Sequence, residues 1–287
     1  MKKEENPTFS LLCATVGRTE KLGRMLDALA GQTRGDFELV VVDQNPPGVL
    51  DPVLAPYLDR IAIVHLRSPR GLSRARNVGL KACRGRYIAF PDDDCWYPSD
   101  LVARLSALFE NLDADVLTGR TTDADGVDSL GLFLDHDAPI TRSNIWLIGN
   151  SNSLFLRRQA AERAGGFDET LGVGAETPFK SGEETDFLLR VLAAGAKGSY
   201  RRDIIVHHDQ APVAGGAGIA RAQDYARGFG RVLRLHGFGA PYAAMRVARS
   251  SARALLSAAT GDMATAHYKA LWALGTLKGF CAPLPKA

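Results

Sequence analysis

Residues 70–98 read RGLSRARNVGLKACRGRYIAFPDDDCWYP. From Ser73 the stretch has the pattern of a helix that stops near Gly85, and Tyr87–Phe90 is a short apolar run of the kind that forms a buried strand. Directly after it stand Asp92, Asp93 and Asp94, then Cys95, Trp96 and Tyr97. Like charges at this spacing raise each other's pKa, so aspartates crowded at the end of a buried strand need a compensating charge. A hard divalent cation, Mg2+ or Mn2+, supplies one by taking oxygen ligands from one or two carboxylates and from a substrate's phosphates. The other reading is a turn whose aspartates cap the next helix or face water.

Working outward, three more apolar runs end in polar loops. Phe9–Ala14 leads to Thr15, Phe37–Val42 to Asp43, and Ile61–Leu66 to Arg70, with the second and third read as buried strands. Leu22, Met25, Leu26 and Leu29 recur at helical spacing, with Thr19 as the expected N-cap and Gly31 past the end. Strands alternating with helices predict an α/β fold with a mostly parallel sheet and helices on both faces. Ligands in such sheets sit outside the carboxyl ends of the strands, so Thr15, Asp43, Arg70 and Asp92–Asp94 should converge on one crevice.

Further along, Ser99 is the expected cap of a helix carrying Leu101, Val102, Leu105, Leu108 and Phe109, and residues 115–119 form a strand. Residues 120–150 lose periodicity and read as a long loop or flap. A strand at 153–156, a short helix over 157–165 and the Gly-rich acidic stretch GGFDETLGVGAETPFKSGEETDF follow. The latter runs into a helix with Phe187, Leu188, Val191 and Leu192, stopped by Gly195; Asp203–His208 is the last strand expected. After Gln210, Ala, Arg and Gly dominate and only Asp224 and Asp262 remain among the acids, which predicts an appended helical region.

Composition narrows the classes. The 287 residues carry a net charge of +3 with 46% hydrophobic content, so the chain has a sizeable core and no basic stripe for nucleic acid. Cys13, Cys83, Cys95 and Cys281 are widely spaced without a CxxC pair, which argues against zinc and a disulfide framework and for a reducing cytoplasm. MKKEENPTF has no apolar h-region, so no secretory signal is expected, and no apolar run reaches membrane-spanning length.

Several side chains carry chemistry or its bland alternative. Glu183, Glu184 and Asp186 open a helix, where acids are favoured by the dipole, or one of them is a general base. Of His207 and His208 at a strand end, alternation turns one toward the crevice, where a neutral imidazole could complete a metal's shell. Arg70, Arg74 and Arg76 offer planar forks for phosphate or a base edge, or a solvated helix face. Trp146, near Asn150, Ser151 and Asn152, either faces a ligand or belongs to the core.

In combination, ATVGRTEKL, VVVDQN, the 70–98 stretch and GGFDETLGVGAETPFKSGEETDF resemble the family-2 glycosyltransferases of the GT-A (Rossmann-like) fold, in the right order over about residues 8–210. The resemblance implies a catalytic domain over 1–210, with a nucleotide-sugar half (8–119) and an acceptor half (120–210), and a C-terminal helical region over 211–287. It implies transfer of a sugar from a nucleotide-diphosphate donor to an acceptor hydroxyl with inversion, in surface polysaccharide or glycan synthesis. Thr15, Asp43, Arg76, Asp92 and Asp93 would bind the nucleotide sugar. Asp94, the last residue of the DxD motif, would hold Mn2+ or Mg2+ with Asp92 and His208 or His207. Glu184 stands where the family usually has an aspartate base, with Glu183 as competitor, and Trp146 and Asn150 would meet a glycan or lipid-linked acceptor. The alternative is a sugar-nucleotide-binding subunit without turnover. The arginine-rich tail, Gly215–Phe280, either lies on an anionic membrane surface at the inner face of the cytoplasmic membrane, packs on the catalytic domain, or pairs with a second subunit.

Overall fold

The computed structural model describes residues 6–210 and 216–284. Residues 1–5, part of the stretch without an h-region, and Gly215, the expected start of the tail, lie outside the described residues. The chain divides into two compact units. One comprises Met1–Arg70, Arg74–Gly166 and Phe187–Gln210; the other comprises Gly71–Ser73, Phe167–Asp186 and Ala211–Ala287. Phe167–Asp186, expected in the acceptor half of a 1–210 domain, thus groups with the C-terminal helices.

The first unit is built on one sheet. Its strands are β1 (Phe9–Thr15), β2 (Phe37–Asp43), β3 (Ala62–Arg67), β4 (Tyr87–Ala89), β5 (Cys95–Trp96), β6 (Val116–Thr122), β7 (Ala138–Pro139), β8 (Leu154–Arg157) and β9 (Gly198–His208). They lie in the order β3-β2-β1-β4-β8-β6-β9-β5, with β7 also on β9. β3, β2, β1 and β4 are mutually parallel, as are β6 and β9, while β8 runs antiparallel to both of its neighbours and β5 antiparallel to β9. Helices α1 (Thr19–Ala30), α2 (Asp51–Leu54), α3 (Leu72–Leu80), α4 (Leu101–Asn111), α5 (Arg158–Ala164) and α6 (Glu183–Ala193) connect the strands.

The apolar runs explain most of this. β1 and β2 are buried nearly throughout because β1 lies between two neighbours and β2 is flanked by β1 and β3. β3 is a correction to the buried-strand reading: it is the edge strand, and its residues are half-buried or exposed. An apolar run reads the same at an edge as in the centre. α1 turns Leu22, Met25, Leu26 and Leu29 inward as the periodicity predicts. Gly79, in the last turn of α3, permits close packing on the sheet, since a Cβ there would stand 2.0 Å from Leu12 Cδ1. Tyr87 stacks on Phe109 of α4 with ring centroids 4.2 Å apart, which ties that helix to the sheet.

Two caps differ from expectation. Arg18, not Thr19, is the N-cap of α1 and makes no side-chain capping bond, which leaves its guanidinium for other partners. Asp100 precedes α4, because the Ser99 carbonyl is taken by Thr33 N–H at 2.8 Å. The stretch 120–150 is mainly irregular, although β6 continues to Thr122 and β7 and a short 3-10 turn at Ile145–Leu147 interrupt it.

The second unit contains α7 (Gly216–Leu235), α8 (Ala240–Ala259) and α9 (Met263–Cys281). α7 and α9 touch backbone to backbone. A Cβ on Gly275 would lie 2.4 Å from Gln223 O, and one on Gly279 would lie 2.0 Å from Arg227 O. The loop Phe167–Gly182 is fastened to this unit by Ser181 Oγ donating to Tyr225 O (2.7 Å) and by Ser73 Oγ donating to Leu171 O (2.7 Å). Among the described residues no helix is long and apolar enough to cross a membrane.

Candidate active site

The aspartates form the turn between β4 and β5, closed by Cys95 N–H donating to Asp92 O at 3.2 Å. β5 then pairs with β9 in a register that sets Cys95 opposite His208 and Trp96 opposite His207. That register settles which histidine approaches the cluster. His208 Nε2 lies 3.3 Å from Asp94 Oδ1. His207 turns away: its Nδ1 lies 3.1 Å from Thr122 Oγ1, and its ring stacks on Trp96, which Arg24 covers from 3.3 Å.

Each aspartate has different partners. Thr15 Oγ1, at the end of β1, donates to Asp93 Oδ2 at 2.7 Å. Arg18 Nη1 reaches both Asp93 Oδ1 (3.0 Å) and Asp94 Oδ2 (2.6 Å), with Lys21 Nζ 3.7 Å from the latter. Asp92 accepts from Arg76 Nη2 at 3.3 Å and from Ser151 Oγ at 3.4 Å. Arg76 is 2% exposed, so it serves this cluster and not solvent. Arg70, expected to join the crevice, is exposed.

Burial and neighbours separate the carboxyls electrostatically. Burial pushes the Asp93 carboxyl up, against the Thr15 hydrogen bond and the Arg18 charge. Burial acts the same way on Asp94, but His208, Arg18 and Lys21 outweigh it and hold that carboxyl below the usual range. The Asp94 carboxylate in turn raises His208 despite the imidazole's burial. The turn therefore holds one firmly ionised carboxylate, a donor suited to a hard cation, against an imidazole that would join it as a ligand only in its neutral form.

Among the described residues no group of three or more His, Cys, Asp and Glu is placed so that it could hold a metal ion by itself. The donor set nevertheless fits Mg2+ or Mn2+, which bind through one or two protein groups and fill their shells with substrate phosphate oxygens and water. Asp94 and His208 offer one carboxylate and one imidazole in contact, and Asp92 stands two residues away on the same turn.

Asp43 closes β2 abreast of Thr15 and of Arg67. Its carboxylate is fully enclosed: Oδ1 accepts from Asn45 N (2.7 Å) and Nδ2 (2.8 Å), while Oδ2 meets Arg67 Nη1 (2.9 Å) and His65 Nε2 (3.2 Å). Asn45 Oδ1 accepts from Gly17 N–H at 2.6 Å, so Asp43 ties the β2 loop to the left-handed turn after β1, where Gly17 has φ +72°. Burial opposes the charge, but the Asn45, His65 and Arg67 contacts prevail and depress the Asp43 pKa.

The acids at the head of α6 up to Asp186 belong to the second unit. Glu183 is 5% exposed, with its carboxyl beside Gly172, where a Cβ would meet Oε2 at 3.1 Å. Glu184 is half-buried. Asp186 Oδ1 contacts His236 Nε2 at 2.8 Å, a bond to α7. In the first unit, Asn150 caps the 3-10 turn Ser151–Ser153 in a reciprocal capping box and accepts from Thr121 Oγ1 at 2.9 Å. Trp146 is half-buried in the preceding turn.

Arg18, Asn45, His65 and Arg67 are participants that sequence reasoning did not single out, and Ser151, named only as a neighbour of Trp146, reaches Asp92 instead. The signal for Arg18 was slight, a cation three residues past a strand end in Thr15-Val16-Gly17-Arg18.

The glycosyl transferase family 2 model matches residues 10–159, just over half of the 287. The chain belongs to this family. A PGL/p-HBAD biosynthesis glycosyltransferase of Mycobacterium bovis is 35% identical over 118 residues, 39% of this chain and 46% of that protein. The chain thus spans less than half the length of that curated relative. The mannosyltransferase PcManGT of Pyrobaculum calidifontis, solved with GDP-Man and Mn2+, shares the fold with a TM-score of 0.65 at 14% identity, over 97% of this chain and 88% of that one. S. aureus TarS 1–349, solved with UDP-GlcNAc, gives 0.60 at 17% identity, over 92% and 90%. At these identities the likeness establishes the GT-A fold alone. The family match includes Thr15, Asp43, Arg76 and the aspartate turn; Glu184 and His208 lie beyond it.

Proposed function

We propose that the chain is a metal-dependent, inverting glycosyltransferase that moves a sugar from a nucleoside-diphosphate donor to an acceptor hydroxyl in surface-glycan synthesis. The observation that carries this reading is the Asp94–His208 contact at the β4–β5 turn, within a chain of this family. Asp94 and His208, with Asp92, would hold Mn2+ or Mg2+. Such an ion, when bound, neutralises charge gathering on the departing diphosphate. Thr15 and Asp93 border the ribose and phosphate positions, and Arg76 orients Asp92. Asp43 acts by fixing Asn45 and Gly17, whose loops form the nucleobase rim.

Glu184 is the base. It takes the proton of the acceptor hydroxyl as that oxygen bonds to the anomeric carbon; the bond to the diphosphate oxygen breaks on the opposite face, and its electron pair leaves with the diphosphate. One displacement inverts the anomeric configuration. Glu183, nearly buried beside Gly172, suits a structural role, which supports Glu184 over it. Trp146 and Asn150 mark the acceptor side, Asn150 by holding the turn before β8.

The test is release of nucleoside diphosphate from a panel of nucleotide sugars with Mn2+, using water and simple glycosides as acceptors. Glu184→Gln should lower turnover by about a hundredfold or more while leaving diphosphate affinity unchanged. Full activity in that variant sinks the base assignment. Diphosphate binding without turnover of any donor would favour a binding subunit.

A further inference from the structure

α8 and α9 each carry a second apolar stripe on the side opposite their packed residues. α8 packs through Ala243, Ser250 and Ala254. Met245, Ala248, Ala252, Leu255, Leu256 and Ala259 recur at three- and four-residue steps and are all exposed, Leu255 by 73% and Leu256 by 66%. α9 repeats the pattern with Met263 (65% exposed), His267, Ala270, Leu274 and Leu277. A helix packed on one side and apolar on the other has a second partner to meet.

The charges choose the partner. Arg249 and Arg253 border the α8 stripe, both exposed, and Lys278 borders that of α9. Neither helix contains an acid; Asp262 lies between them and is occupied in capping α9 through Thr265 N–H. Burial and the charge of Arg253 together depress the Lys269 amine, so cations here crowd one another. A symmetric pairing with a second copy would bring together two basic faces that hold no acid to pair with them. An anionic lipid surface complements them and receives leucine and methionine at headgroup depth.

We propose that the outward stripe of α8, with its bordering arginines, lies on an anionic bilayer surface without crossing it. This does not rest on the transferase reading, and a variant that transfers no sugar should bind vesicles equally.

The experiment is vesicle flotation of the full chain with phosphatidylcholine alone and with phosphatidylcholine mixed with phosphatidylglycerol. Wild type should float only with the anionic vesicles, and less as salt rises. Leu255→Ser with Leu256→Ser should abolish flotation. Arg249→Glu with Arg253→Glu should weaken it about tenfold or more, from roughly 1 kcal/mol per basic residue at the surface. Both pairs are exposed, so melting temperatures should hold, and single substitutions provide a fallback if they do not. Absence of wild-type flotation overturns the proposal, as does binding indifferent to lipid charge. A dimer by light scattering that the leucine variant dissolves, without flotation, assigns the stripe to a second copy instead.

Discussion

Replacing Asp43 by Asn tests whether this carboxylate organises the β1–β2 rim or is free to contact a ligand. The carboxylate is 0% exposed and faces four donor groups: Asn45 N–H, Asn45 Nδ2, His65 Nε2 and Arg67 Nη1. An amide in its place turns an NH2 toward two of them whichever way it is flipped. Hydrogen bonds to a charged group contribute about 1.5–3 kcal/mol each. Arg67 is 45% exposed and counts for less, so the variant should lose roughly 3 kcal/mol of stability near neutral pH. The pH dependence has a definite sign. Because the folded-state pKa is depressed, the stabilisation is present above the ordinary carboxylate range and fades as pH falls through the folded value. Urea unfolding followed by tryptophan fluorescence should therefore show a large gap between wild type and variant at neutral pH that closes in acid. A loss under about 1 kcal/mol, or a gap that persists in acid, would refute the enclosed network.

Three further outcomes follow from the same contacts. Arg18→Met should lower the melting temperature by an amount equivalent to about 1–2 kcal/mol, since Asp93 and Asp94 lose their shared cation, and added Mn2+ should recover more stability than in wild type; equal Mn2+ responses would count against a cation site there. His208→Gln should weaken Mn2+ binding, read by calorimetry, by about tenfold or more, whereas His207→Gln should change it little, because only His208 faces Asp94. Gly279→Ala should destabilise by about 1–3 kcal/mol in thermal unfolding despite alanine's better helix propensity, because its Cβ would meet Arg227 O at 2.0 Å; a stabilised variant would show that α7 and α9 are not in backbone contact.

The aspartate turn was legible because its parts are local: an apolar strand, then charges, at an edge where α/β sheets place ligands. The inward face of α1 was legible for the same reason, through a single period. What stayed hidden depends on partners remote in sequence. The choice of His208 over His207 is set by the β5–β9 register, which no pattern around residue 207 encodes. Asp43 was expected among the nucleotide-sugar ligands, whereas its enclosure, by His65 and Arg67 on a neighbouring strand, could not be read locally. Phe167–Asp186 looks like part of the domain it follows, yet its hydrogen bonds run to Ser73 and to α7.

The measurement that bears most directly on the central claim is the thermal stability of the purified chain against a panel of nucleoside diphosphates, with and without Mn2+. A ligand that binds only the native state raises stability once its concentration exceeds the dissociation constant. A shift with one diphosphate that requires Mn2+ and disappears in Asp94→Ala is the expected result. A shift indifferent to Mn2+ and to Asp94, or no shift with any diphosphate at saturating metal, would contradict it.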